Sequence, residues 1–169
     1  MPMRAFACSA VFVVSLAMLP VSAAGAEAET KSAYVSDFDC TRGPWKLNIG
    51  KSLASIRALG KPTAERTEPG YGQNTEIRVL QFEGLAVRAL FVKGDYRDGL
   101  VDSVEVTRPQ WGVTADLKVG HPLSAVAKKA QRPVEPHNAM VKVCGDTDCA
   151  TFQVSDGRIS RIIYECYTG

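Results

Sequence analysis

The chain has 169 residues, with 20 Lys and Arg against 18 Asp and Glu, a net charge of +2 when the histidines are neutral. That length suits one domain, or two small units sharing a core. Lys and Arg are scattered among acids with no basic block, which disfavours nucleic acid as a partner.

The first stretch has the form of an export signal. Arg4 supplies a positive start, Val11 to Leu19 is nearly all apolar, and Pro20 and small residues follow. Ala24-Gly25-Ala26 has the small-x-small form of a cleavage site. Cleavage is expected after Ala26, with Ala24 as the alternative. A retained anchor is the competing reading, but the apolar run is short for a bilayer. Cys8 precedes that run, so it is not placed as a lipid-bearing cysteine. Removing residues 1–26 leaves 143 residues with 19 basic and 18 acidic side chains and no further apolar run able to span a membrane.

Cys40, Cys144, Cys149 and Cys166 remain. An even count in an exported chain implies two disulfides, with three possible pairings. Cys144 and Cys149 flank the turn-rich Gly145-Asp146-Thr147-Asp148 and are paired here, which leaves Cys40 with Cys166. A zinc site is the competing reading, but the C-x2-C spacings are absent. No cofactor is expected.

Residues 27–44 read as a polar lead-in, partly disordered, with 27–37 loose. Trp45, Leu47 and Ile49 alternate and suggest a short extended segment. A helix is expected over Ser52–Leu59, with Ser52 as N-cap and Leu53, Ile56 and Leu59 as its apolar stripe. Gly60 and Pro62 end it. Residues 61–75 read as a polar loop with Glu68-Pro69-Gly70-Tyr71-Gly72 at its tip. Strand patterns follow at 77–82, after a Glu83-Gly84 turn at 85–91, and at 101–106 after a longer turn over 93–99 that ends in Asp98-Gly99. A second helix is expected near Pro122, ending by Pro133, followed by strands at 140–144, 150–154 and 159–166.

Two blocks recur in the same order. Ile49-Gly50-Lys51-Ser52-Leu53 with Ile56 matches Val119-Gly120-His121-Pro122-Leu123 with Val126, and Asp98-Gly99 matches Asp156-Gly157. The fold expected is α+β: two tandem helix-plus-antiparallel-sheet units of three strands each, at 45–110 and 111–169, sharing a core. Coincidence between two ordinary α/β segments is the alternative.

Catalytic motifs are absent. His121 and His137 accompany no nucleophile, and there is no G-x-S-x-G, phosphate loop or H-E-x-x-H. Asp146 and Asp148 suit a turn better than a calcium loop, and Asp37 and Asp39 are equally unspecific. Tyr71, Tyr96 and Trp111, with Arg97 beside one of them, fall in expected turns. Aromatics and Arg carry interfaces when they cluster, so these four are the candidate partner-binding residues.

The repeated Gly-x-[Ser/Pro]-Leu-x-x-[Ile/Val] entry, at Gly50, Leu53 and Ile56 and again at Gly120, Leu123 and Val126, resembles the tandem-repeat fold of the secreted beta-lactamase inhibitor proteins and the related SmpA/OmlA-type assembly lipoproteins. The resemblance implies binding of other proteins through sheet faces and loops, without chemistry. The chain departs from both groups in cysteine placement and lacks a lipid-bearing cysteine, so inhibition of a beta-lactamase is not implied. The expected function is an exported, periplasmic or secreted, non-catalytic module that binds an unknown envelope or exterior protein, as an inhibitor or assembly accessory. The alternative is a small-ligand carrier using a cleft between the two units.

Overall fold

The computed structural model describes residues 32–114 and 116–168. The export-signal reading of residues 1–26, including Cys8 and the cleavage at Ala26 or Ala24, lies outside the described residues.

In chain order the elements are strand β1 (Ser32–Tyr34), a 3-10 turn (Gly43–Trp45), helix α1 (Leu53–Arg57), and strands β2 (Ala64–Pro69), β3 (Thr75–Phe82), β4 (Leu85–Val92) and β5 (Asp95–Val106). Helix α2 (Ser124–Ala130) and strands β6 (Met140–Cys144), β7 (Cys149–Ser155) and β8 (Arg158–Glu165) complete the set. All eight strands join one sheet in the order β1-β6-β7-β8-β5-β4-β3-β2. Among the described residues only the β1–β6 pair is parallel.

This corrects the expected division into two helix-plus-sheet units. The chain forms one mixed sheet, and its helices are short, at five and seven residues. The physical reason lies at β5 and β8. A separate three-strand unit would leave a hydrogen-bonding edge on each. Here the two edges satisfy each other: Ser103 to Val106 pair with Glu165 to Ile162. Val104 and Val106 meet Tyr164 and Ile162 there, all fully buried.

The core lies on one face of the sheet. Leu80, Phe82, Val87, Phe91, Val104, Phe152 and Ile162 point to it. Trp45, Leu53, Ile56, Leu117 and Val126 cover it from the lead-in, the helices and the connection between them. Ser52 caps α1 as expected, its hydroxyl accepting the Ser55 amide at 3.0 Å. Helix α2 begins at Ser124, later than Pro122, and stops at Gln131, whose left-handed backbone (φ 51°) ends it before Pro133 is reached. Lys129 lays its buried stem inward, Nζ 5.3 Å from the Trp45 ring centroid. Burial pushes the Tyr164 hydroxyl up to about 12; its partner is Thr114, also buried, at 3.3 Å.

Three local expectations change. Residues 64–69, placed in a polar loop, are strand β2. It pairs along its whole length with β3, from Ala64↔Gln81 to Pro69↔Glu76. No apolar alternation announces it, because an edge strand bonds through its backbone, and charges and proline guard such edges. In the lead-in, residues 32–44 are ordered: β1 lies beside β6, and Val35, Phe38 and Cys40 are buried. Trp45 closes the 3-10 turn, fully buried, its ring centroid 4.8 Å from that of Phe38.

The third change breaks one of the two recurring blocks. Asp156-Gly157 is the β7–β8 hairpin turn, with φ of 52° and 72°, as a type I′ turn requires. Asp98-Gly99 is no turn. It lies inside β5, and the β4–β5 turn is Lys93-Gly94, with Gly94 at φ 82°. Gly99 is glycine for space: a Cβ there would stand 2.3 Å from Cε1 of the buried Phe91. Gly99→Val is therefore expected to destabilise by about 2–3 kcal/mol, read as a lower urea midpoint at unchanged m-value. Gly94→Ala meets no neighbour and should carry only the smaller strain of positive φ.

Both disulfides form as paired from the sequence. Cys144 and Cys149 are cross-strand partners, with Cα atoms 4.1 Å apart. Cys40 and Cys166 join the lead-in to the chain end, with Cα atoms 5.9 Å apart.

Candidate functional site

Helices and lead-in cover one face of the sheet, and among the described residues no element crosses the other face between β4 and β7. Alternation along the strands puts Ile77 and Val79 of β3, Arg88, Leu90 and Val92 of β4, and Leu100 and Ser103 of β5 on this open face. Thr151, Ile163, Met140 and Lys142 continue it across β7, β8 and β6.

One end of this face is built around Tyr71. The turn after β2 sends its side chain across β3 and β4, and its hydroxyl donates to Asp102 Oδ1 on β5. A register shift in β5 beside Arg88/Ala89 leaves Asp102 unpaired in the ladder and turns its carboxylate to the open face. Arg88 reaches both sides: Nε donates to Asp102 Oδ2 at 3.0 Å and Nη1 to Glu68 Oε2 at 2.6 Å. Arg66 holds Glu68 from the edge at 2.9 Å. Below this network Ile77 and Val79 are 2% exposed although they stand outside the main core. Beside it Val92 and Leu100 remain 56% and 44% exposed, and Tyr71 67%. Leu90 and Leu100 are direct cross-strand partners.

The result is an aromatic ring that is exposed yet fixed. The hydrogen bond to Asp102 raises the Tyr71 hydroxyl above its ordinary 10.0. Hydrogen bonds from Arg66 and Arg88 hold the Glu68 carboxyl below its ordinary 4.5. On the helix side, Arg57 does the same for Glu65.

The four candidate residues do not form one cluster. Tyr71 belongs to the open face. Tyr96 lies beyond α1: its hydroxyl donates to Glu76 Oε1 at 2.8 Å, its ring meets Phe91 edge-on at 5.7 Å, and Arg78 lies 5.3 Å from its centroid. Arg97 is exposed and bound to Asp95, whose carboxyl it pulls down to about 2. Trp111 packs on Phe82 at 5.7 Å and donates from Nε1 to the Glu83 carbonyl at 2.9 Å. Tyr96 and Trp111 thus attach to opposite ends of β3, roughly 20 Å apart at ~3.3 Å per residue.

Sequence reasoning missed Arg88, Asp102, Val92 and Leu100. In the sequence Val92 and Leu100 fall just outside the expected strands at 85–91 and 101–106, and only the sheet register brings Arg88 and Asp102 under Tyr71.

The other candidates take structural roles. Asp146 accepts from the Tyr34 hydroxyl at 2.7 Å, and Asp39 caps the turn at Thr41 and Arg42. A cleft of about 490 Å³ touches Asp37, Asp39, Arg42 and Asp146. His121 Nδ1 sits 3.2 Å from the Asp116 carbonyl oxygen, and His137 bridges to Met140. Among the described residues no three His, Cys, Asp or Glu side chains gather as a metal site, and no helix is long and apolar enough to cross a membrane. Where a cleft between two units would lie, β5 and β8 are hydrogen-bonded.

The lowered carboxylates imply an acid response. Asp39, Glu65 and Glu68 have folded values below their ordinary 3.8 and 4.5. Their contribution is present above those ordinary values and is lost as pH falls through the folded ones. Urea midpoints should hold from pH 7 to about 4.5 and then fall, and the double variant Glu65→Gln/Glu68→Gln should flatten that fall.

Compared with protein-family models, curated proteins and solved structures, the chain matches none.

Proposed function

We propose that this chain is an exported, non-catalytic module that binds another protein of the cell envelope or exterior on the open face of its sheet. An inhibitor or an assembly accessory would work this way, in the periplasm or outside the cell. The reading is carried by Tyr71: a largely exposed ring, pinned by Asp102 beside Arg88 and next to the exposed Leu100 and Val92. Interfaces are anchored by Tyr, Trp and Arg side chains that lose little freedom on binding. The two disulfides fit an oxidising compartment.

The test is capture from an envelope extract of the source cell by the immobilised chain, with the captured protein then titrated against variants. Tyr71→Ala is expected to weaken binding about 30-fold, the size of a hot-spot truncation. Tyr71→Phe keeps the ring but loses the tie to Asp102, and should fall between. Capture of nothing, or equal affinity for Tyr71→Ala, would overturn the proposal. Arg97→Ala and Trp111→Ala report on the other rims; a larger loss there than at Tyr71 moves the site off the open face.

A further inference from the structure

The two disulfides differ in more than the length of chain they close. Cys40 and Cys166 are buried, at 4% and 9% exposed. Cys144 and Cys149 are only half-buried, and they share the last rung of the β6–β7 ladder. On these two strands Val141, Val143, Ala150 and Phe152 point into the core. The two cysteines alternate with them, so the short bridge lies on the open face beside Lys142 and Thr151. A thiolate must reach a disulfide sulfur before it can exchange with it. The open face permits that approach to one bridge, and the core denies it to the other.

What the short bridge holds is local. It closes a loop of four residues, 145–148, and the β6–β7 ladder pairs five rungs beside it. The loop is wedged against the lead-in. Gly145 donates its amide to the Asp148 carbonyl at 2.9 Å, and a Cβ at Gly145 would stand 2.2 Å from the Phe38 carbonyl oxygen. The Tyr34 hydroxyl donates to Asp146 at 2.7 Å. The buried Asp148 carboxylate accepts the Cys40 amide and the Tyr167 amide, each at 2.7 Å. Sulfur thus fixes the ends of the loop whose carboxylate holds both the lead-in and the chain end. The long bridge keeps those two segments together whatever the loop does.

We propose that Cys144–Cys149 is a thiol–disulfide exchange site, and that its redox state sets how tightly the 145–148 loop grips the lead-in and the chain end. The co-reactant is a protein dithiol. One of its thiolates attacks one sulfur of the bridge, forming a mixed disulfide and expelling the other cysteine as a thiolate, which takes a proton. The second thiolate of the dithiol attacks the mixed disulfide and releases the first cysteine, which is protonated in turn. Two electrons pass to the chain, and the dithiol becomes a disulfide. The exchange needs no partner on the open face, so it stands apart from the binding reading.

The test is dithiothreitol reduction of the native full chain, expressed and processed in an exporting host, with alkylation and peptide mass spectrometry over time. Cys144 and Cys149 should become labelled about 100-fold faster than Cys40 and Cys166, because exchange follows access. Between the two phases circular dichroism should keep its strand signal. In that state hydrogen exchange at the Cys40 and Tyr167 amides should rise about tenfold, as local opening requires. Oxidised dithiothreitol should restore their protection. Cys144→Ser/Cys149→Ser should show the fast exchange without reductant. Both bridges opening together, or the long one first, overturns the proposal. So does a short bridge that resists dithiothreitol until urea unfolds the chain. Selective reduction that leaves both amides as protected as in the oxidised chain overturns it as well, since the bridge would then only staple its hairpin.

Discussion

Replacing Cys40 and Cys166 together with alanine is expected to lower the unfolding free energy by about 4–5 kcal/mol. The Cys144/Cys149 double replacement should lose only about 2 kcal/mol. The difference comes from chain entropy: one bridge closes a separation of 126 residues and the other a separation of 5. Native packing points the same way. Cys40 and Cys166 are both buried, and the bridge fastens the Phe38–Trp45 lid to the β8 end of the core. The short bridge joins the two residues of one rung of a hairpin that the β6–β7 ladder already holds. Total stabilities of single domains are about 5–15 kcal/mol, so losing the long bridge should leave a marginal fold. Urea unfolding of wild type and both double variants, oxidised and at matched pH, checks the order. A short-bridge variant as unstable as the long-bridge one would refute it.

The disulfide pairing is legible in the sequence, because four cysteines and one turn-rich spacer leave little choice once Cys144 and Cys149 are joined. The strands rich in branched apolar residues are legible for a related reason: β3, β4, β6, β7 and β8 each turn one apolar row to the core. What stays hidden is polar or relational. β2 is a strand because β3 offers it a hydrogen-bonding edge, a fact its own residues, Ala-Glu-Arg-Thr-Glu-Pro, do not announce. Asp98-Gly99 looks like the turn at Asp156-Gly157, yet the Phe91 ring demands the glycine. The expected pair of units fails at the seam, since nothing in β5 or β8 alone says that each is the other's neighbour. In the site, Tyr71 is visible as an aromatic in a Pro/Gly-rich stretch. Asp102, 31 positions away, meets it only because β3 and β4 lie between. Leu100 and Val92 lie just outside the expected strands, and only the strand phase shows them facing out.

The second large effect is expected at Asp148, which reads in the sequence as a turn residue. It is 5% exposed. Its Oδ2 accepts the Cys40 amide at 2.7 Å and its Oδ1 the Tyr167 amide at 2.7 Å. One carboxylate thus grips both chain segments beside the long disulfide, from within the Cys144–Cys149 loop. Asp148→Ala strands one buried donor, the Cys40 amide, and one half-buried donor, the Tyr167 amide, and should cost about 2–3 kcal/mol, since an unsatisfied buried group costs about 1–3 kcal/mol. Asp148→Asn is the sharper probe. Its amide keeps one acceptor oxygen but turns an NH2 toward the other donor, so it should be almost as damaging rather than neutral. Because Asp148 and the Cys40–Cys166 bridge hold the same two segments, their removals should not add. The triple variant Asp148→Ala/Cys40→Ala/Cys166→Ala should lose at least about 1 kcal/mol less than the sum of the separate losses. Strict additivity in urea unfolding would show that the carboxylate merely shapes its own turn. Subadditivity would show that the turn, the lead-in and the chain end are one latch, closed by sulfur on one side and by a buried charge on the other.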